Sequence, residues 1–204
     1  MAIMKIALMG HPVLRRRAEE ITDPTAPEVR ALISHMIETM EDAEGMGLAA
    51  PQIHVSARLV IMRTPGEDDA EEEIEDEAVD SVEDEWSGLT ILVNPVIEPL
   101  GDDMADGWEG CLSVPGLRGM VPRYKRIRYR ASDPRGGVID RTVEGLHARV
   151  VQHECDHLDG ILYPERMTDM TKLIFESEYR HLRGDRAEAD ESDEEDFDDA
   201  EEVA

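Results

Sequence analysis

The sequence predicts an α+β domain on three observations: an apolar stripe at helical spacing early in the chain, two period-two runs joined by a turn, and a second helix behind them. Strands gathered in runs between separated helices argue for α+β rather than an alternating α/β sheet. The 204 residues suffice for one domain with a hydrophobic core.

The elements follow in chain order. Residues 3–8 are short and apolar and read as a first strand, or as a loop if Gly10, His11 and Pro12 break it early. Thr25 to Glu28 looks like a capping box with Pro27 in the first turn. Val29, Leu32, Ile33, Met36, Ile37 and Met40 then recur over three turns of an N-terminal amphipathic helix, which Gly45 is expected to end. Residues 58–62 and 89–93 read as strands. Residues 126–131 and 137–143 alternate at period two around a turn at 133–136. Residues 146–158 fit a helix closed by Asp159 and Gly160. Thr168 could cap a C-terminal helix running to about residue 183.

The net charge of −27 is concentrated in two places. Residues 67–85 carry 13 acids and no base, and residues 185–204 carry 12 acids and one arginine. Without those 25 acids and one base, totals of 48 acids and 21 bases become 23 and 20. The expected organisation is therefore one ordinary domain over 1–184 with a disordered acidic insertion at 67–85, and a disordered acidic tail at 185–204. The whole-chain charge of −27 argues against nucleic acid, DNA included, and anionic membranes as direct partners. No apolar run approaches 18 residues, so no membrane span is expected. No secretory signal is recognisable at the N-terminus, and two cysteines make no disulfide framework, so a cytoplasmic compartment is expected.

The sharpest signal is the run Gln152, His153, Glu154, Cys155, Asp156, His157. On a helix, His153 and His157 share one face and can reach one metal ion, while Glu154 can serve as general base toward an activated water. With 7 His and 27 Glu in the chain, such a motif arises by chance about 0.03 times. A third ligand is needed. Glu165, Glu176 and Glu178 remain open as carboxylate ligands, but Cys111 is the better candidate, because a thiolate ligates strongly and Gly110 suits a loop that approaches a site closely. Cys155 lies only two residues from His153, on the wrong face, and reads as a small buried hydrophobe. A third segment, 45–52, is rich in small residues and ends in Gln52, whose amide could donate to a developing oxyanion.

Together these segments resemble the peptide deformylase family, which carries G-x-G-L-A-A-x-Q, E-G-C-L-S and Q-H-E-x-D-H in that order, here at 45–52, 109–113 and 152–157. The similarity extends more loosely from about residue 5 to residue 182, through His11 to Leu14, Val121 to Arg123, and Leu158 to Gly160. The resemblance implies antiparallel sheets packed around a central metal-binding helix. It makes Cys111, His153 and His157 the ligands of one divalent ion, Fe2+ in the cell with Zn2+, Ni2+ or Co2+ accommodated. Glu154 becomes the acid/base, and Gln52 with the backbone N–H of Leu112 forms the oxyanion site. Met46, Gly47 and Leu146 become substrate-binding candidates beside an extended peptide. The implied reaction removes formyl from the N-terminal methionine of new polypeptides. A transient ribosome association is implied as well; on charge alone the acidic tail 185–204 is expected to be repelled from ribosomal RNA, which leaves the basic segment 123–130 as the expected contact. The competing readings are a zinc endopeptidase, which would share the helix but not the cysteine segment, and a silent scaffold, against which Glu154, Gln52 and Cys111 stand.

Overall fold

The computed structural model describes residues 3–63, 89–179 and 181, so the two acidic segments lie outside the described residues. The described residues include two α-helices of several turns: α1, Pro27–Asp42, and α2, Gly145–Leu158. The strands are β1 Gly47–Ala49, β2 Leu59–Met62, β3 Thr90–Pro99, β4 Met104–Cys111, β5 Val114–Tyr124, β6 Arg126–Ser132, β7 Val138–Glu144 and β8 Leu173–Phe175. They form a five-stranded sheet in the order β1-β2-β3-β6-β7 and a three-stranded sheet in the order β4-β5-β8, with antiparallel pairing throughout. No helix among the described residues is long and apolar enough to cross a membrane.

The period of two decides how the helices pack. In β2 and β3, Val60, Met62 and Leu92 face α2 and join Ala148, Val151, Cys155 and Leu158. Leu59, Ile61, Ile91 and Val93 face the other way, onto Val29, Ile33, Met36 and Met40 of α1. The central strands are thus buried on both faces, which explains the unbroken apolar run of β2. A third, smaller core of Val114, Val121, Leu162 and Tyr163 lies under the three-stranded sheet. On its polar side α2 is pinned to that sheet. Gln152 exchanges hydrogen bonds with the backbone N–H and C=O of Tyr124 at 3.1 and 2.9 Å. Arg149 donates to the carbonyls of Ala105 and Val121 at 2.6 and 2.8 Å.

Four local expectations change. Residues 3–8 form no strand; they lace across the domain instead, with Ala7 N–H on the Gln52 carbonyl and Met9 N–H on the Ser113 carbonyl. The capping box does not form, because the Thr25 hydroxyl and N–H both bind Asp23, leaving Ala26 at the N-cap without a side-chain bond. The left-handed residue that ends α1 is Glu44, at φ 51°, rather than Gly45. Gly45 serves a close approach: a Cβ there would stand 2.8 Å from Leu112 Cδ1. The C-terminal helix does not begin at Thr168. Asp169 caps a single turn, Met170–Lys172, and the next three residues pair with the edge of β5, from Leu117↔Phe175 to Gly119↔Leu173.

Beyond α2 the chain reverses at Gly160, φ 77°, where a Cβ would meet the backbone carbon of Arg15 at 2.8 Å and the nitrogen of Arg16 at 2.9 Å. Gly160→Ala should therefore cost more than the ~1–2 kcal/mol of left-handed strain. Gly116, φ 73° with nothing within 4 Å, bears only that strain and serves as the control. Urea denaturation of both variants should rank Gly160→Ala well below Gly116→Ala; equal losses would remove the backbone clash from the account.

Candidate metal centre and active-site cleft

The helix α2 carries His153 and His157 one turn apart, their rings meeting edge-on at 5.0 Å between centroids. Cys111 enters from the last position of β4, where the β4–β5 ladder shifts register between Gly110 and Cys111. The expected glycine loop is thus a strand end and a tight turn. A bulge re-aims the side chain leaving the ladder, which here brings the Cys111 thiol to the two histidines. One ligating atom from each of Cys111, His153 and His157 lies within 4.8 Å of the others. Cys111 Sγ and His157 Nε2 are 3.4 Å apart. Metal bonds of ~2.3 Å to sulfur and ~2.05 Å to nitrogen at a tetrahedral angle would separate those donors by ~3.6 Å. The donor set and its spacing therefore fit a single first-row ion.

The ionisable groups around the donors are strongly perturbed. Burial pushes the Glu154 carboxyl up to about 7, against the partial opposition of His153 and Arg123. Its Oε2 has no hydrogen-bond partner among the described residues. A buried carboxyl in that state can exchange a proton near neutral pH, and a cation beside it would favour its charged form. Burial holds His157 well below the usual imidazole range. Burial also works to lower His153, but hydrogen bonds with Cys111 and Glu109 raise it well above that range. Cys155 is buried in the core under α2, which pushes its thiol up and leaves it inert.

Two residues of the 45–52 segment meet the same centre. The Gln52 amide is fixed at both ends: Oε1 accepts from Ala49 N–H at 2.8 Å, and Nε2 donates to Ser113 Oγ at 3.2 Å and toward Cys111 Sγ at 3.6 Å. Gly47 lies against Glu154, so that a Cβ there would stand 2.7 Å from its carboxyl carbon. Gly45, Met46, Gly47 and Gln52 share a cleft of about 630 Å3 with Cys111, Leu112, Leu146, His153 and Glu154. Met46 and Leu146 stand half-exposed at its walls, 52% and 49% accessible. The sequence-predicted residues therefore converge. Among the alternative ligands, Glu165 accepts from Leu162 N–H, Glu176 lines the cleft but is held by Arg118, and Glu178 pairs with His181; none of the three joins the donor group.

The sequence reading missed the groups behind the histidines. Glu109 Oε2 accepts from His153 Nδ1 at 2.8 Å, so His153 turns its Nε2 to the centre. Arg123 clamps both Glu109 oxygens, at 2.9 and 3.0 Å, and reaches Asp156 at 2.5 Å. Arg123 is 5% exposed, which removes it from the surface contact expected of 123–130. Glu109 and Asp156 lie inside the motifs, beside the ligands, but spacing alone gives a flanking acid no partner. Burial works to raise the Glu109 carboxyl; His153 and Arg123 outweigh it and hold it at about 2. Because that value lies below the ordinary 4.5, the charged form stabilises the fold fully above about pH 4.5 and the contribution drains as pH falls toward 2. Glu109→Gln should be less stable at pH 7 and show a flatter loss between pH 4.5 and 2 in urea denaturation. Parallel pH curves for the two proteins would rule that linkage out.

A family model for polypeptide deformylase matches residues 3–173. Peptide deformylase 1 of Bordetella pertussis is 55% identical over 171 residues, covering 84% of this chain and 91% of that protein. Peptide deformylase 1 of Prochlorococcus marinus is 43% identical over 178 residues, covering 87% and 88%. Among solved structures, the peptide deformylase of Thermotoga maritima superposes with a TM-score of 0.68 at 33% identity, over 83% of this chain and 100% of that one. The Met-Ala-Ser-bound class I type b enzyme of Acinetobacter baumannii gives 0.67 at 32%, over 81% and 99%. A family match across most of the chain, joined to this fold and to a cleft holding the three motifs, shows that the chain belongs to the peptide deformylase family.

Proposed function

We propose that Cys111, His153 and His157 hold one divalent ion, and that around it this deformylase removes the N-formyl group from the N-terminal methionine of newly made polypeptides. The observation that carries the reading is the convergence of those three donors beside the unpartnered Oε2 of Glu154. The ion, when bound, supplies Lewis-acid polarisation and a water acidic enough to lose its proton near neutral pH. Glu154 takes that proton at a carboxylate oxygen and later delivers it to the leaving amine. Gln52 Nε2 and the Leu112 N–H donate to the oxyanion that develops on the formyl oxygen, each such donor being worth roughly 100- to 1,000-fold in rate. Because Ala49 and Ser113 already fix the Gln52 amide, little reorganisation is needed as charge develops.

The peptide lies extended beside Met46 and Gly47, its methionine side chain toward Leu146. Support comes from the half-exposed cleft walls and from the Acinetobacter baumannii relative bound to Met-Ala-Ser. Fe2+ is the ion we propose in the cell, and the thiolate–imidazole set suits Zn2+, Ni2+ and Co2+ as well. The exposed Arg126 and Arg130 and the half-buried Arg128 are paired with Glu144 or Asp140. Three arginines on two acids, with the exposed Lys125 beside them, leave this face positive, which supports it as a contact for ribosomal RNA.

Formate release from formyl-Met-Ala-Ser, by protein prepared without oxygen, tests the reading. Release with no cleavage of the unformylated peptide is expected; internal cleavage would favour an endopeptidase. Glu154→Gln should retain the ion and lose about 100- to 10,000-fold in kcat. Gly47→Ala, which crowds the same carboxyl, should lose on the order of 100-fold while staying folded. Near-normal turnover in either would displace Glu154 from its role. Cys111→Ser should lose bound metal on dialysis, whereas Cys155→Ala should keep it and cost only ~1 kcal/mol of stability. The reverse pattern would identify the wrong thiol.

A further inference from the structure

Asp156 immediately precedes the second histidine of the centre and is held from two sides. Arg123 Nη1 donates to Oδ2 at 2.5 Å. Arg166 Nη2 donates to Oδ1 at 2.7 Å and its Nε to Oδ2 at 3.2 Å. Arg123 spends the rest of its fork on Glu109, and Glu109 accepts from His153. The result is an unbroken chain of ionic hydrogen bonds: Arg166, Asp156, Arg123, Glu109, His153. Arg123, Glu109 and Asp156 are all buried, while the Arg166 side chain is 46% exposed.

That exposed end opens onto a second cleft of about 600 Å3 on the far side of α2, which Arg123 and Asp156 also line. Arg166 fills three roles there at once. It satisfies Asp156 lone pairs that Arg123 cannot reach, it balances the carboxylate, and it covers the pair from water. With the guanidinium gone, Asp156 is left with one partner at the wall of a wet cleft. Arg123 is then drawn toward that carboxylate and its grip on Glu109 loosens. A histidine ligand whose orienting carboxylate is loose loses ring alignment.

We propose that Arg166 is a positioning residue for the metal centre, acting through Asp156, Arg123 and Glu109 on the orientation of His153. The proposal rests on the ligand set given above. The experiment uses the full chain loaded with Co2+, whose absorption reports both ligand identity and geometry. In Arg166→Ala, Co2+ affinity measured against a competing chelator should fall on the order of 10-fold. The visible ligand-field bands should shift, and kcat on formyl-Met-Ala-Ser should fall with KM unchanged. Arg166→Lys keeps the charge but not the fork, and should recover affinity only in part. Asp156→Asn should reproduce the spectral shift, and adding Arg166→Ala to it should cause no further shift. An Arg166→Ala protein with the wild-type cobalt spectrum and affinity would overturn the proposal, whatever its stability. A wild-type spectrum without a thiolate charge-transfer band would instead refute the ligand set, and the proposal with it.

Discussion

The buried ion cluster centred on Arg123 is the constraint on which the geometry of the cleft depends. It ties α2 to the β4–β5 hairpin, and those two elements carry the histidines and the cysteine respectively. Taking such charges out of water costs several kcal/mol each, so they persist only when nearly every donor and acceptor is matched. Here they are: Glu109 accepts from Arg123, Arg149 and His153, and Asp156 accepts from Arg123 and Arg166. An apolar contact could hold the helix against the sheet as firmly, but it would not fix the rotation of an imidazole. The cluster therefore contributes direction more than cohesion, while the cores above and below the five-stranded sheet supply the cohesion.

The second wall of the cleft is positioned by backbone rather than by charge. Residues 4–9 cross from α1 to the motif segments, with Met4 N–H on Thr39 Oγ1, Ala7 on the Gln52 carbonyl and Met9 on the Ser113 carbonyl. Gln52 and Ser113, which share a side-chain hydrogen bond, are thus also tied from behind by one strap. Gly45 and Gly47 let that wall close on Leu112 and Glu154, where any side chain would collide. Small residues in the 45–52 segment serve this approach, and the Gln52 amide is turned toward Cys111 and Ser113.

Much of this was legible in the sequence because it rests on local periodicity. The stripe of α1, the alternation of β6 and β7, and the i, i+4 histidines of α2 appear in the structure at nearly the expected bounds. The strands β4 and β5 were not legible: Gly107, Gly110, Gly116 and Gly119 with Pro115 and Pro122 erase the alternation by which strands are recognised. Two of those glycines make room for neighbours distant in the chain, Gly107 for the Arg149 guanidinium and Gly119 for Tyr163 and Met167. Residues 170–175 keep helical spacing yet form a turn and a short strand, because the open edge of β5 takes Leu173–Phe175 into its ladder. Likewise Cys111, Glu109 and Arg123 could be read as residue types, but their pairing with α2 depends on tertiary contacts 33 to 46 residues apart.

One sulfur on the hairpin and two imidazoles on the helix are the proposed ligands of the ion. X-ray absorption at the metal edge of the loaded full-length protein reads that shell directly. One sulfur at ~2.3 Å and two imidazole nitrogens at ~2.0–2.1 Å are expected, with the sulfur scattering lost in Cys111→Ser. A shell of nitrogen and oxygen alone in the unaltered protein would contradict it.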